Sequence, residues 1–292
     1  MRRGVFFGDP RSGLTCAHLR ANSNSSNRMS KSQNSALAAL ATFVALNASA
    51  EGALVTGTWV KASGATGVAL TNTTTASPTW GNGTTDNADA SSIYSPFPTI
   101  TLANPGDKIV LSGSAEMFGV SPGTAGSIFR FGLFNVNGSA TTAGWLGYFV
   151  QSAASGGTGS LQERNAGNTS AFTSTSSGTA TLQTLPVVAS AISSTVYNFS
   201  FSLERNATSE LIITTSLVRA SDSVEFAGAS FPDTTVNAGA FTFDRVGFQG
   251  TTDLNADQIQ LNNVDVTFTS VPEPSAAFLG GLGLLGLLRR RR

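Results

Sequence analysis

The chain has 292 residues, of which only 12% are charged, so a helical protein built on long amphipathic patterns is excluded; β-branched residues and 19 phenylalanines favour many short strands in one large or two smaller domains. The formal charge of zero conceals an asymmetry, because residues 51–270 hold seven Lys and Arg against 15 Asp and Glu, while six basic residues precede that span and four follow it. An acidic body of this kind excludes nucleic acid as a partner, since phosphate neutralisation needs a basic patch.

The first element is "MSKSQNSALAALATFVALNASAEG". Lys31 supplies a basic start, residues 36–46 an apolar run, and Ala48-Ser49-Ala50 the small-x-small pattern of a secretory signal peptide cut before Glu51. Residues 29–50 are therefore read as a signal helix that begins at Met29, and residues 1–28 as an upstream or disordered extension. Their Arg- and Ser-rich, acid-poor composition also fits an organelle transit peptide, the competing reading. Cys16 and His18, each the sole residue of its kind, lie before the cut. The exported chain then holds no disulfide, no Cys/His zinc site, no cysteine nucleophile and no Ser-His-Asp triad.

Through residues 51–270 the pattern is that of strands. In "DKIVLSGSAEMF", Ile109, Leu111, Ala115 and Met117 share one parity, and in "STVYNFSFSLER" so do Tyr197, Phe199, Phe201 and Leu203. Such alternation marks half-buried antiparallel strands. "GSIFRFGLFNV" and "SELIITTSLVRA" are apolar on both faces, which predicts central strands between packed layers. In "QIQLNNVDVTF" the apolar parity switches from Ile259 and Leu261 to Val264, Val266 and Phe268, and a bulge near Asn262-Asn263 reconciles the halves. Asn104-Pro105-Gly106-Asp107, Asn137-Gly138 and Ser155-Gly156-Gly157 supply turns. The fold class expected is all-β: a single two-sheet antiparallel sandwich over 51–270, of jelly-roll or lectin-like type. The phrases "FRFGLFN", "GWLGYFV" and "FDRVGFQG" resemble lectin-like sandwiches of exported surface proteins across about three strands.

No cofactor is implied by these residues. Without His or Cys, hydrolysis would rest on paired carboxylates, and the candidates are Glu116, Glu163, Glu204, Glu210, Glu225 and Asp244; no spacing marks a pair, and solvated strand faces account for them more cheaply. Asp253, Asn255 and Asp257 alternate like the start of a calcium loop, a structural metal candidate. Gln258 replaces the turn glycine of that pattern and Val264 its bidentate glutamate, so an ordinary polar hairpin competes. For sugar stacking the available rings are Trp59, Trp80, Trp145, Tyr94 and Tyr148. Trp145 and Tyr148 read as core, whereas Trp80, in the turn-like "SPTWGNG", is expected at the surface.

The chain closes on "VPEPSAAFLGGLGLLGLLRRRR". The 13 residues from Ala276 to Leu288 carry no charge. As a helix they span about 20 Å against a hydrocarbon core of about 30 Å, so they fit a short membrane helix whose mismatch is covered by snorkelling arginines. Arg289, Arg290, Arg291 and Arg292 set topology by staying cytoplasmic, which leaves the body outside. Gly281, Gly283 and Gly286 spell G-x-G-x-x-G, but no strand, second helix or downstream acid accompanies them, so no dinucleotide site is read there. Pro272 and Pro274 hold the backbone extended and Glu273 keeps a charge out of lipid.

Val271-Pro272-Glu273-Pro274-Ser275, the apolar run and the arginine cluster, residues 271–292 together, resemble the PEP-CTERM sorting signal. That resemblance implies an exosortase, a membrane-embedded cysteine enzyme, as partner. It also implies a Gram-negative host that makes exopolysaccharide, a transient inner-membrane anchor with the body periplasmic, and delivery to the cell surface or matrix. The function expected is that of an exported, non-catalytic surface or matrix protein in contact with extracellular polysaccharide. The alternative is an extracellular glycan-active enzyme using paired carboxylates.

Overall fold

Alternating side chains broken by Gly, Asn and Pro turns produce strands along the whole body. The computed structural model describes residues 50–292 except 52–54, 56–57, 64–67, 84–87, 89–90, 122–125, 155–156, 166–178, 187–188, 208, 237–240, 272–279, 281–282, 284–285 and 287–292. The expected extension 1–28, the signal run with Ala48, Pro272-Glu273-Pro274-Ser275 and Arg289 to Arg292 lie outside the described residues.

The early strands are β1 (Ala50–Glu51), β2 (Val60–Ser63), β3 (Leu70–Thr71), β4 (Thr79–Gly81), β5 (Ser92–Thr101), β6 (Lys108–Phe118) and β7 (Gly126–Asn135). A 3-10 turn, Thr142–Gly144, precedes β8 (Leu146–Ala154), β9 (Gly159–Arg164) and β10 (Thr179–Leu185). Then follow β11 (Thr195–Ala207), β12 (Glu210–Arg219), β13 (Ala229–Asp233), β14 (Thr242–Gly250) and β15 (Gln258–Thr269).

All of these pairings are antiparallel, and they build two sheets. One has the order β13-β12-β11-β6-β15-β4-β3, with β1 also paired to β15; the other has the order β10-β9-β8-β7-β14-β5-β2. The last two strands in the chain thus take interior places, β14 between β7 and β5 and β15 between β6 and β4. The expected cleavage junction lies in β1, where Ala50 stands opposite Thr269 and Glu51 opposite Phe268.

The all-β, two-sheet antiparallel sandwich is as expected. Tyr197, Phe201 and Leu203 are fully buried and Phe199 is 3% exposed, while Ser200 and Glu204 on the other parity are half-buried. Phe131 of one sheet lies 5.4 Å from Phe199 of the other, and Phe248 lies 5.2 Å from Phe199 at 62°, so interdigitated rings join the layers. The predicted bulge is present: β15 pairs with β6 through Asn262 and Ser114, then resumes at Asp265 and Ser112. Asn263 takes φ 53°, which lets Val264 and Val266 rejoin the buried face.

Two expectations are corrected. β12 is not buried on both faces; Leu211, Ile213 and Leu217 point inward while Ile212, Ser216 and Val218 remain half-buried, because they lie on the outer face of their sheet, where the interior strands β6 and β15 show the same alternation. Trp80 is not a surface ring. It lies on β4 opposite Ile259 of β15 and is fully buried. β7, by contrast, is the middle strand of its sheet and is covered on both faces over most of its length. Among the described residues no helix is long and apolar enough to cross a membrane; within the terminal run only Gly280, Gly283 and Gly286 are described, each helical and exposed.

Candidate functional site

Strand parity divides the seven-stranded sheet into a core face and an outward face. Phe131, Tyr148, Val150, Leu161 and Phe248 go to the core, so their neighbours must point the other way. Register then aligns the outward residues in rows across the strands. One row runs Ser160 on β9, Gln151 on β8, Arg130 on β7, Gln249 on β14 and Ser92 on β5.

In that row the Arg130 Nε donates to Gln151 Oε1 at 2.8 Å and its Nη1 to Gln249 Oε1 at 3.2 Å. The guanidinium is therefore held between two amides, half-buried. Burial lowers its pKa to about 10 against the opposing pull of Asp253, so it remains charged at neutral pH. Alongside, Gln162 on β9 donates from Nε2 to Ser160 Oγ at 2.7 Å and to Thr181 Oγ1 on β10 at 2.8 Å. The result is a band of amide, hydroxyl and guanidinium groups across six strands, in which Ser92, Gln151, Ser160 and Gln162 are buried, Arg130 and Gln249 half-buried and Thr181 exposed; the half-buried and exposed groups have chemistry suited to the hydroxyls of a sugar.

Beside the band the same face carries rings. Phe134, Trp145 and Phe149 form a second apolar cluster, joined by the half-buried Tyr94, which meets Trp145 edge-on at 4.9 Å. Trp145 is 3% exposed and Phe149 fully buried, so among these rings Tyr94 is the accessible one. Arg164 braces this end. Its Nε donates to the Trp145 carbonyl at 3.0 Å and its Nη2 to the carbonyls of Thr142 and Ala143, so the guanidinium caps the 3-10 turn; burial lowers its pKa to about 10.

The candidate carboxylates are dispersed. Glu204 pairs with Lys108 at 3.2 Å, and Glu225 accepts from Ser216 Oγ at 3.0 Å. Asp244 accepts the Val136 N–H at 3.1 Å; burial raises its pKa even though that bond and Arg245 oppose the shift. Glu116 stands in the interior of β6 and Glu210 at the start of β12. Among the described residues, Glu163 is the candidate that meets a second acid. The Tyr148 hydroxyl lies 3.1 Å from Glu163 Oε1 and 2.9 Å from Asp233 Oδ2, and all three residues are buried on the core side near the β9 and β13 strands. A phenol has one hydrogen, so the hydroxyl donates to one of the two carboxyls at a time. Burial first, then the adjacent Glu163 and Asp233, hold the phenol far above the ordinary 10.0.

At the calcium candidate, Asp253 turns to β7, where its Oδ2 accepts the Ser127 N–H at 3.0 Å. Asn255 has φ 48°, and the Asp257 carboxylate lies against Gly119 after β6. Among the described residues no group of three or more acids, His or Cys is arranged to hold a metal. Trp59 is 2% exposed and packs on Phe248 at 5.8 Å, a core ring. Reading the sequence missed the outward band altogether, since its members lie on separate strands and only register unites them.

Residues 270–292 match the family model of the PEP-CTERM protein-sorting motif. No curated protein sequence matches the chain. Solved structures similar to it include the winged bean acidic lectin complexed with methyl-α-D-galactose, at 7% identity and TM-score 0.47, over 78% of this chain and 100% of that one. The exoplasmic/lumenal domain of VIP36 in its Ca2+/Man-bound form is similar at 10% identity and TM-score 0.44, over 74% and 83%. The marine PL-14 alginate lyase from Aplysia kurodai is similar at 11% identity and TM-score 0.43, over 68% and 86%.

Proposed function

We propose that a chain ending in a PEP-CTERM motif on an acidic β-sandwich is an exported, non-catalytic surface or matrix protein, sorted by an exosortase and contacting exopolysaccharide. The observation that carries the reading is the motif over residues 270–292. The Arg130 band supports the contact with polysaccharide, because the half-buried Arg130 and Gln249 present a charged donor and an amide side by side, with the guanidinium braced by the buried Gln151. In this reading residues 29–50 direct export, the sandwich faces the periplasm, and the apolar run is a transient inner-membrane anchor whose arginines stay cytoplasmic. Any calcium at Asp253, Asn255 and Asp257 would be structural.

A second reading, a glycan-active enzyme, draws on the meeting of Glu163 and Asp233 at Tyr148. Their burial at 3% and 2% exposure favours a structural role, since a glycosidase needs its carboxyls at the scissile bond.

The test is a comparison of tail variants in a host that carries the sorting enzyme. Glu273→Gln removes the handle's charge, and Pro272→Ala with Pro274→Ala lets the membrane helix extend upward; either leaves a folded body stranded unprocessed in the inner membrane. Neutralising Arg289 to Arg292 weakens the stop and releases the body with its tail uncut. Fractionation with intact-mass measurement separates the two outcomes. Normal processing of the double-proline variant refutes the sorting reading.

A further inference from the structure

The turn at residues 104–107, between β5 and β6, is shaped around a residue far along the chain. Asp107 is 2% exposed; its Oδ2 accepts the Asn104 N–H at 2.8 Å, and its Oδ1 accepts the N–H of Val271 at 2.8 Å. The Asn104 side-chain amide donates to the Val271 carbonyl at 3.5 Å. Gly106 has φ 93°, and a Cβ built there would stand 2.8 Å from Cγ2 of Val271. Backbone donor, carbonyl and side chain of Val271 thus each have a complement in one turn. Core packing does not explain the arrangement, because Val271 is 40% exposed.

The turn is itself fastened to β11. The Gly106 N–H donates to the Arg205 carbonyl at 2.6 Å, the Arg205 N–H returns to the Asp107 carbonyl at 2.9 Å, and the Arg205 guanidinium donates to the carbonyls of Leu102 and Ala103 at 2.6 and 2.8 Å. β5, β6, β11 and the end of β15 therefore converge on the residue that directly precedes Pro272.

We propose that this turn is a latch that fixes where the sandwich ends and the sorting handle begins, so that the handle is offered to the sorting enzyme from a closed sandwich. The coupling to sorting rests on the reading above; the latch itself does not.

Two measurements on the full chain in detergent and in the processing host test it. Asp107→Asn turns one acceptor into an amide donor facing an N–H, and Asn104→Ala removes the contact to the Val271 carbonyl while keeping the backbone of the turn. In the parent chain the Val271 amide exchanges at least tenfold more slowly than in either variant, while the amides of β11 keep their protection. Tail processing in the variants slows several-fold, whereas Ile213→Val, a mild core change remote from the turn, is processed normally. A Val271 amide that exchanges at the free-chain rate in the parent overturns the latch. Faster exchange with unchanged processing overturns the coupling. A parent chain that is never processed overturns the sorting reading and the coupling with it, and the exchange result alone then decides the latch.

Discussion

Phe199 and Gly113 face each other across β11 and β6, and the pair offers a quantitative check of the core. The Phe199 ring folds back over Gly113, so a Cβ added there would stand 2.7 Å from the ring Cζ and 3.1 and 3.2 Å from the carbonyls of Asn262 and Asn263 in the β15 bulge, at φ 154°. Phe199→Ala empties a space walled by Phe131 and Phe248 and should cost about 3–5 kcal/mol. Gly113→Ala overpacks the same space and should cost about 1–3 kcal/mol. In the double variant the methyl no longer meets the ring, though the carbonyl contacts and the backbone strain persist. The two changes should therefore fall short of additivity by about 1–2 kcal/mol, beyond the ~0.5 kcal/mol scatter of independent sites. Denaturant unfolding followed by tryptophan fluorescence reads this directly, since Trp59, Trp80 and Trp145 are all buried and respond to loss of the core. Ser200→Ala, on the half-buried parity, should stay within about 0.5 kcal/mol. Additive losses at Phe199 and Gly113, or a serine as sensitive as the phenylalanine, would refute the packing.

The buried phenol yields a pH prediction. Tyr148 has a folded pKa raised above its unfolded 10.0, so its contribution to stability is whole below pH 10 and is lost as pH rises from there toward the folded value. Ultraviolet titration should show its phenolate only upon unfolding, and Tyr148→Phe, which strips the shared hydroxyl from Glu163 and Asp233, should cost about 1–3 kcal/mol at neutral pH; a phenolate formed in the folded chain near pH 10 would disprove the cluster. On the outward face, Arg130→Ala should weaken retention by the host's exopolysaccharide in affinity electrophoresis by roughly tenfold or more. Lys108→Ala on the other sheet should leave retention unchanged, and equal retention of all three proteins would dismiss the band as the contact surface.

Local pattern reveals an element where burial alternates along one strand. β11 and the bulge of β15 were legible for that reason: Tyr197, Phe199, Phe201 and Leu203 share a parity, and the shift from Leu261 to Val264 has no other economical geometry. Local pattern is silent where burial depends on partners distant in sequence. Trp80 sits in turn-like sequence yet is covered through its pairing with Ile259, and Ile212 and Val218 look like a second buried face only because the sequence does not show that nothing in the other sheet covers the outer side of β12. The candidate site failed in the same way. Glu163 stood among six equivalent acids, and its partner Asp233 was not among them, because the pairing is made between sheets through Tyr148. The sorting motif over residues 270–292 was legible because it lies in consecutive residues.

Chain order gives these parts a common logic. Without β15 the larger sheet separates into β13-β12-β11-β6 and β4-β3, and without β14 the smaller one separates into β10-β9-β8-β7 and β5-β2. Both sheets are therefore completed by residues 242–269, whose pairing must meet the cost of bringing distant segments together. The Arg130 band shares this dependence, because Gln249, one of the two amides that hold the guanidinium, belongs to β14. Val271 reaches the turn at residues 104–107 once β15 has docked against β6. Residues 242–271 thus complete both sheets, supply Gln249 to the outward band and seat the residue before Pro272. A chain with the sandwich open would lack all three together, which is why loss of the Val271 contact should separate processing from glycan retention in Asp107→Asn but not in a variant that unfolds β15.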